Sequence, residues 1–463
     1  MHQDCRGLAL TAANAEAARH FDATIEAYLG FKADTGDHLK ACFAADPAMA
    51  MAQIVKGCFM HLFATRRLDG KARAAATSAH ESIRERGATE RERAHLAALD
   101  AWCAGDFAGA AKVWETILAA HPRDALALRL AHYMHFYLGD DANLRDSIHR
   151  VLWAWDETVP GYGYVLGMKA FGCEEAGDYT AAEAAGREAV ERNPGDLWAV
   201  HGVAHVLEMQ ARAREGVAWV RRAPEAWADT NPFQNHVWWH LSLFHLELGE
   251  RDAVFDLYDS RIRAEPSEEY LDITNAASLL WRLEDEDADI GDRWDELADL
   301  AAARESDHVL AFADAHYVMC LAAAGRHEEG EHYLAAWTAH AAAYPEQTES
   351  PVTADIGVPL ARAILEYRAG RFGRVVELLM PARYGLIRLG GSHAQRDVWE
   401  RMLIEAAIRG GEVETARLLL SERGGRRPDG PWTCAAWART LEGLGDPTGA
   451  EDARERVAAL RAA

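Results

Sequence analysis

The sequence has no long apolar run, no dense stretch of lysine or arginine, and no Cys-x-x-Cys. Each absence removes a class of protein. Without some 20 consecutive apolar residues, no segment is expected to span a bilayer as a helix. The opening MHQDCRGLALTAANAEAARHF has too short an apolar run for a signal peptide. Seven scattered cysteines (Cys5, Cys42, Cys58, Cys103, Cys173, Cys320, Cys434) make neither a disulfide framework nor a zinc ribbon, and predict reduced thiols in a cytoplasmic protein. The 73 acidic and 49 basic residues give a net charge of -24. That charge opposes nucleic acid and anionic membranes, so neither is expected as a partner. A Gly-rich phosphate loop, a nucleophile elbow, a dinucleotide fingerprint and a His-Glu-x-x-His are also missing. Nucleotide enzymes and serine hydrolases of the usual folds are therefore not expected.

What is present is helical and periodic. Alanine, leucine, arginine and glutamate dominate a chain that is 49% hydrophobic, which favours an all-α protein. Between the helical stretches a glycine recurs with a charged neighbour: AGDFAGAAKVW, AGDYTAAEAAG, LGERDAVFDLY, AGRHEEGEHY and AGRFGRVVELL. Each reads as a glycine C-cap followed by a short turn into the next helix. With Gly105 at position 15 of a unit beginning at Arg91, Phe107, Ala110, Trp114 and Pro122 fall at the tetratricopeptide positions. The frame fits again from Gly163, Asn235 and Asp397, and more loosely from Ala311, Ile356 and Pro431. The expectation is a tetratricopeptide-type α-solenoid, a superhelix of about ten helix pairs over 91–463. Degenerate helical repeats over 1–90 join it in one continuous domain.

Two histidine pairs stand out, His201/His205 in AVHGVAHVLEMQ and His236/His240 in NHVWWHLSLFHLELGE. A spacing of four puts both imidazoles of a pair on one helix face. The repeat frame sends His201, His205 and Glu208 to the concave side of one unit, and His236, Trp239, His240 and Glu247 to that of the next. Packed helices lie about 8–10 Å apart, close enough for the imidazoles to meet. His316, two units on, faces the same way but reaches them only if the array curves tightly. Asp314 falls on the packing side and needs a buried donor. His132, His135 and His245 also fall there and read as core histidines with hydrogen-bond partners. In GGSHAQRDVW, Ser392 and Gln395 form a capping box. The helix start with His393 and Arg396 could instead present donors to an anionic ligand.

The segments AVHGVAHVLEM, NHVWWHLSLFHLELG, LYDSRI, LLWRLE, FADAHYVM and GGSHAQRDVW, in this order, resemble the tetratricopeptide repeat protein 38 family. The resemblance runs from about Gly105 to about Ile408. It implies an all-helical solenoid and carries no settled activity, so it assigns no catalytic residue.

Two functions remain open. One is a small-molecule site in the groove, with Trp198, Trp239 and Phe312 as apolar walls and Glu247, His316, Ser392, His393 and Arg396 as further ligand contacts. The site either binds its ligand without reaction or carries hydrolytic chemistry. Either His201, His205, His236 and His240 hold a divalent metal such as zinc, with Glu208 as ligand or base, or a His–Glu pair acts alone as acid and base. The other is a non-enzymatic scaffold whose groove takes a peptide or partner protein.

Overall fold

A glycine followed by an acidic residue closes one helix and opens the next at several turns of the chain. Gly105 and Gly177 both adopt φ of +81°, a left-handed conformation that other residues enter only with strain. The next residue then caps the following helix: Asp106 Oδ1 accepts the Gly109 N–H at 2.8 Å, and Asp178 Oδ1 accepts that of Ala181 at 3.1 Å. This local chemistry produces a chain of antiparallel helix pairs of tetratricopeptide type. The description rests on a computed structural model and covers residues 1–428 and 430–462. The chain forms two compact units, one of 1–203, 223–234 and 344–351, the other of 204–222, 235–343 and 352–463.

In the first unit the helices Ala15–Leu29, Thr35–Ala45, Ala50–Leu62 and Asp69–Arg86 precede the pair Glu90–Cys103 and Phe107–Ala120. Ala125–Tyr137 with Asp141–Val151, and Tyr162–Glu175 with Tyr179–Arg192, continue the array. Small residues at the crossings let the helices approach: Ala110 and Ala182 are fully buried, as is Trp114 beside them in the frame. Ala15–Leu29 also lies against Ala125–Tyr137. One feature departs from the all-helical expectation. His2–Gln3 pairs antiparallel with Ala9–Leu10. The turn is held by Asp4 Oδ1, which accepts the N–H groups of Arg6 at 2.9 Å and Leu8 at 2.7 Å. Local Asp side-chain bonding of this kind outweighs the absence of strand alternation.

In the second unit Phe233–Glu247 begins two residues ahead of the frame, and His393–Arg409 begins four ahead of Asp397. The second shift has a cause in the sequence, because the Ser392–Gln395 capping box forms in full and fixes the helix start. The region expected to be degenerate holds Tyr270–Asp285 and Arg293–Ala302. Tyr270–Asp285 packs against both Ala311–Ala323 and His393–Arg409. Arg282 ties the contact: Nη1 donates to the Ser278 carbonyl at 3.0 Å and Nη2 to that of Ala394 at 2.9 Å. Within this unit, then, the array does curve tightly enough to bring distant repeats together.

The packing-face polar residues find different fates. Asp314 Oδ1 accepts from the Tyr333 hydroxyl at 2.6 Å and lies 2.8 Å from His308 Nδ1, so one of its two oxygens finds the buried donors it needs. His135 meets Glu115 at 3.1 Å and His245 meets Glu250 at 2.5 Å. His132 does not follow: it is fully buried and neither ring nitrogen has a partner among the described residues. All seven cysteines are free. Among the described residues no helix is long and apolar enough to cross a membrane.

Gly172 shows how close the first unit's helices run. A Cβ there would lie 2.6 Å from the Leu144 carbonyl oxygen, on backbone that cannot swing aside. Gly172→Ala is expected to cost about 1–3 kcal/mol by overpacking, despite alanine's better helix propensity. Urea unfolding should show a lower midpoint. An unchanged or higher midpoint would mean that the Leu144 backbone yields freely.

Candidate functional site

The second unit gathers three of the four predicted histidines. His205 lies on the later turns of Leu197–Met209, and His236 and His240 on Phe233–Glu247. The rings of His205 and His240 are 4.4 Å apart between centroids, and those of His236 and His240 are 4.8 Å apart. One ring nitrogen from each of the three lies within 4.8 Å of the others. All three side chains are buried. Two have orienting partners on the same atom: His240 Nδ1 lies 3.0 Å from Glu208 Oε2, and His236 Nδ1 lies 3.1 Å from Asn275 Oδ1. Fixing Nδ1 in this way commits Nε2 of each ring to any further contact.

Burial sets the charge states. It pushes the His236 imidazole well below its usual range, and the neighbouring His240 and His205 add to this, against the Asn275 hydrogen bond. The imidazole is therefore neutral at physiological pH, the form that binds metals. Burial likewise raises the Glu208 carboxyl, opposed by His205 and Arg427.

The other expected site residues divide between the units. Trp239 stacks on His236 at 5.2 Å and carries the Arg282 guanidinium over its ring at 5.8 Å. Phe312 packs on His316 at 4.5 Å, and His316 on Trp399 at 4.7 Å. Burial pushes the His316 imidazole down to about 3, and its Nδ1 sits 2.8 Å from the Phe312 carbonyl. Ser392 Oγ accepts the Gln395 N–H, Arg396 donates to the Gly391 carbonyl, and His393 is half-buried. Glu247 accepts the Trp432 N–H at 3.2 Å, in a cleft with Glu208, Arg282, Asp397, Arg401 and Arg427. The cleft volume is about 30 Å³, room for one or two water molecules. Burial would raise the Asp397 carboxyl, but Arg423, Arg427, Arg401 and Arg282 outweigh it and hold it far below the carboxylate range.

Trp198 and His201 belong to the first unit. There Trp198 packs against His201 at 4.9 Å, Phe171 at 4.9 Å and Phe233 at 5.3 Å. His201 also meets Phe171 and Phe233, each at 5.2 Å.

Sequence reasoning did not find Asn275 or Arg282. They lie two helical turns apart on one face of DITNAASLLWR, a spacing that a polar-face search of that helix would have found.

No family model matches the sequence. Among solved structures, the chain is similar to the human IFIT1 dimer with m7Gppp-AAAA at 11% identity, covering 98% of this chain and 92% of that one with a TM-score of 0.37. It is similar to the P58(IPK) TPR domain at 12% identity, covering 80% and 98%, TM-score 0.23. A third match is Naa15/Naa10 bound to HypK-THB at 14% identity, covering 96% and 75%, TM-score 0.23.

One expectation requires correction. Nucleic acid was excluded on net charge, yet IFIT1 structures with m7Gppp-AAAA and PPP-AAAA stand among these matches. A charge summed over a whole surface does not describe the field in one groove. In this chain Arg282, Arg401 and Arg427 share one cleft with Glu208, Glu247 and Asp397, a local balance unlike the net charge of -24. The exclusion is withdrawn.

Asp196, which caps the Trp198 helix by accepting the Ala199 N–H at 3.1 Å, gives a pH test of the first unit. Burial pushes its carboxyl up to about 7, against that cap and the Arg129 charge. The folded state thus holds a proton that the unfolded state has released, so stability present below the unfolded value of 3.8 is lost as pH rises towards about 7. Asp196→Asn can keep the cap and removes the titration. Its stability advantage over the parent should grow between about pH 4 and about pH 7 and then level off. A difference that stays constant across that window in chemical unfolding would refute the assignment.

Proposed function

We propose that the second unit binds a divalent transition metal of the zinc class through His205, His236 and His240. The observation that carries this is the pair of Nδ1 anchors, Glu208 on His240 and Asn275 on His236, behind three buried rings that meet. Metal-ligating histidines commonly have such outer partners, which fix the tautomer and ring orientation. The depressed protonation of His236 favours the ligand form. Imidazole nitrogens are a donor set that zinc accepts. The chemistry such a set supplies is hydrolysis of a small ester or amide. Glu208 also faces the charged cleft, which gives water a path to the histidines' carboxylate partner. Burial of the cluster favours a small ligand over an extended peptide, which needs an open groove.

The His240–Glu208 hydrogen bond also supports a metal-free form of the same site, with a carboxylate orienting an imidazole for acid–base work. The ordered segments from AVHGVAHVLEM to GGSHAQRDVW support membership of the tetratricopeptide repeat protein 38 family.

Metal titration of untagged, chelator-treated protein separates these. Zinc should bind at about one equivalent, and His236→Ala or His240→Ala should abolish binding. Glu208→Gln should keep the stoichiometry and weaken affinity about 10–100-fold, the usual effect of removing an outer partner. Uptake below a tenth of an equivalent would sink the metal reading. Esterase activity surviving in metal-free protein but lost in His240→Ala would then favour the acid–base pair.

A further inference from the structure

The histidine cluster of the second unit is closed to anything larger than water. His205, His236 and His240 are at most 3% exposed, and Glu208 behind His240 is 9% exposed. The cleft against Glu208 holds about 30 Å³, which admits water and not an organic ester. A ligand of that site therefore enters only when a wall of the cleft moves.

The two walls come from opposite ends of the unit. Leu207, Ala211 and Phe244 belong to its first helices, and Arg427, Gly430 and Pro431 lie some two hundred residues later. Ala211 and Gly430 sit side by side, since a Cβ built on Gly430 would lie 4.0 Å from that of Ala211. The later wall opens the terminal helix pair, Pro431–Gly443 and Pro447–Ala462. Pro431–Gly443 packs on His393–Arg409 and Val413–Arg426, and the last helix packs on Pro431–Gly443. Ala450 is the one buried residue of that last helix among those described. A terminal repeat has a neighbour on one side alone, so it detaches from an array at least cost.

The hydrogen bonds that hold this pair across the cleft are long. The Trp432 N–H donates to Glu247 Oε2 at 3.2 Å, Arg461 Nε to the Glu247 carbonyl at 3.3 Å, and Arg427 Nη2 to the Glu208 carbonyl at 3.4 Å. At the surface Arg214 donates to the Arg461 carbonyl, and Arg461 pairs with Glu286 at 4.0 Å. Contacts of this kind between partly exposed groups contribute little. The floor is held differently, by Arg282 on the Ala394 carbonyl at 2.9 Å and by Arg423 on Asp397 at 2.5 Å, all buried. Between floor and wall, Gly424 and Gly425 fill the last turn of Val413–Arg426 and weaken that helix end. Packing does not ask for a glycine at 425, where a Cβ would meet nothing within 4 Å. Trp432, buried beneath the guanidinium groups of Arg401 at 4.2 Å and Arg423 at 5.2 Å, keeps the closed form favoured.

We propose that the terminal helix pair is a lid on the histidine site, lifting about Gly424 and Gly425 to open the cleft to an ester-sized ligand. The proposal rests on the histidines being the ligand site and does not need the metal.

Ala211→Cys with Gly430→Cys should lock the lid, because 4.0 Å lies within the Cβ span of a disulfide. Diethyl pyrocarbonate, an ester-sized reagent that acylates neutral imidazole, probes the opening, with peptide mass spectrometry reading each histidine. His205, His236 and His240 should react in the parent and in the reduced double variant. The bridge should slow them about tenfold or more, and a thiol reductant should restore the rate. His332, whose side chain is 75% exposed, should react equally in both forms. His316, buried away from the cleft, should stay slow in both. Should the bridge not form or the variant not fold, Arg461→Ala decides instead, and should speed the cluster's reaction about threefold. Equal cluster rates in the locked and reduced forms overturn the lid, as does an unchanged rate in Arg461→Ala where that variant decides. A cluster that never reacts in the reduced protein overturns it too, and so does His316 reacting as fast as the cluster, which would mean that the whole unit unfolds. If zinc fails to bind while the bridge still slows acylation, the metal reading falls and the lid stands.

Discussion

Arg282 holds the second unit's interior together. Its guanidinium is buried, donates to its own helix at Ser278, and reaches the Ala394 carbonyl on a helix more than a hundred residues later. A buried arginine needs acceptors, and a carbonyl inside a helix keeps a second lone pair that can meet that need. Satisfying it fixes where His393–Arg409 comes to rest. Trp239 beneath the guanidinium, His316 within its field and Glu208 facing the same cleft all depend on that placement. The histidine cluster is therefore a consequence of closure within the unit as well as of the spacing of its histidines.

The residues that announced themselves in the sequence did so through period. Gly105, Gly177 and the acidic caps that follow them made the repeat legible, because a turn needing positive φ and a free N–H to cap constrains residue type strongly. His236 and His240 were legible as a pair for the same reason, a fixed spacing on one face. Asn275 and Arg282 were not, since their repeat lacks the signature residues and their partners lie on other helices. His132 shows the limit differently. The frame placed it in the core, and the rule that core histidines find partners predicted a bond that it does not make. The rule describes stable cores on average, and His132 sits beside a buried cation where the average does not apply.

The two units meet the same problem with different partners. Each turns polar side chains inward from the first helix of a repeat, away from water. In the second unit Glu208 and Asn275 meet imidazoles, Glu247 meets the Arg401 guanidinium, and Arg423 pairs with Asp397 at 2.5 Å. In the first unit Arg129 meets aromatic faces and neutral groups instead. A common repeat backbone thus carries interiors in which buried charge is met by ion pairs, as for Arg91 and Asp124, or by aromatic faces, as for Arg129.

That contrast bears on how such arrays acquire sites. Helix pairs are held by small residues at their crossings, such as Ala110 and Ala182, and by capped turns, so the inward positions of the first helices contribute little to the pairing itself. They are free to be polar if the polarity is answered by a neighbour or by a ligand. Where neighbours answer it, as around Asp397, the result is rigidity. Where they do not, as at the two ring nitrogens of His132, the folded state carries a desolvation cost that the unfolded chain avoids, and the rings of Phe171 and Trp198 packed on it must offset that cost.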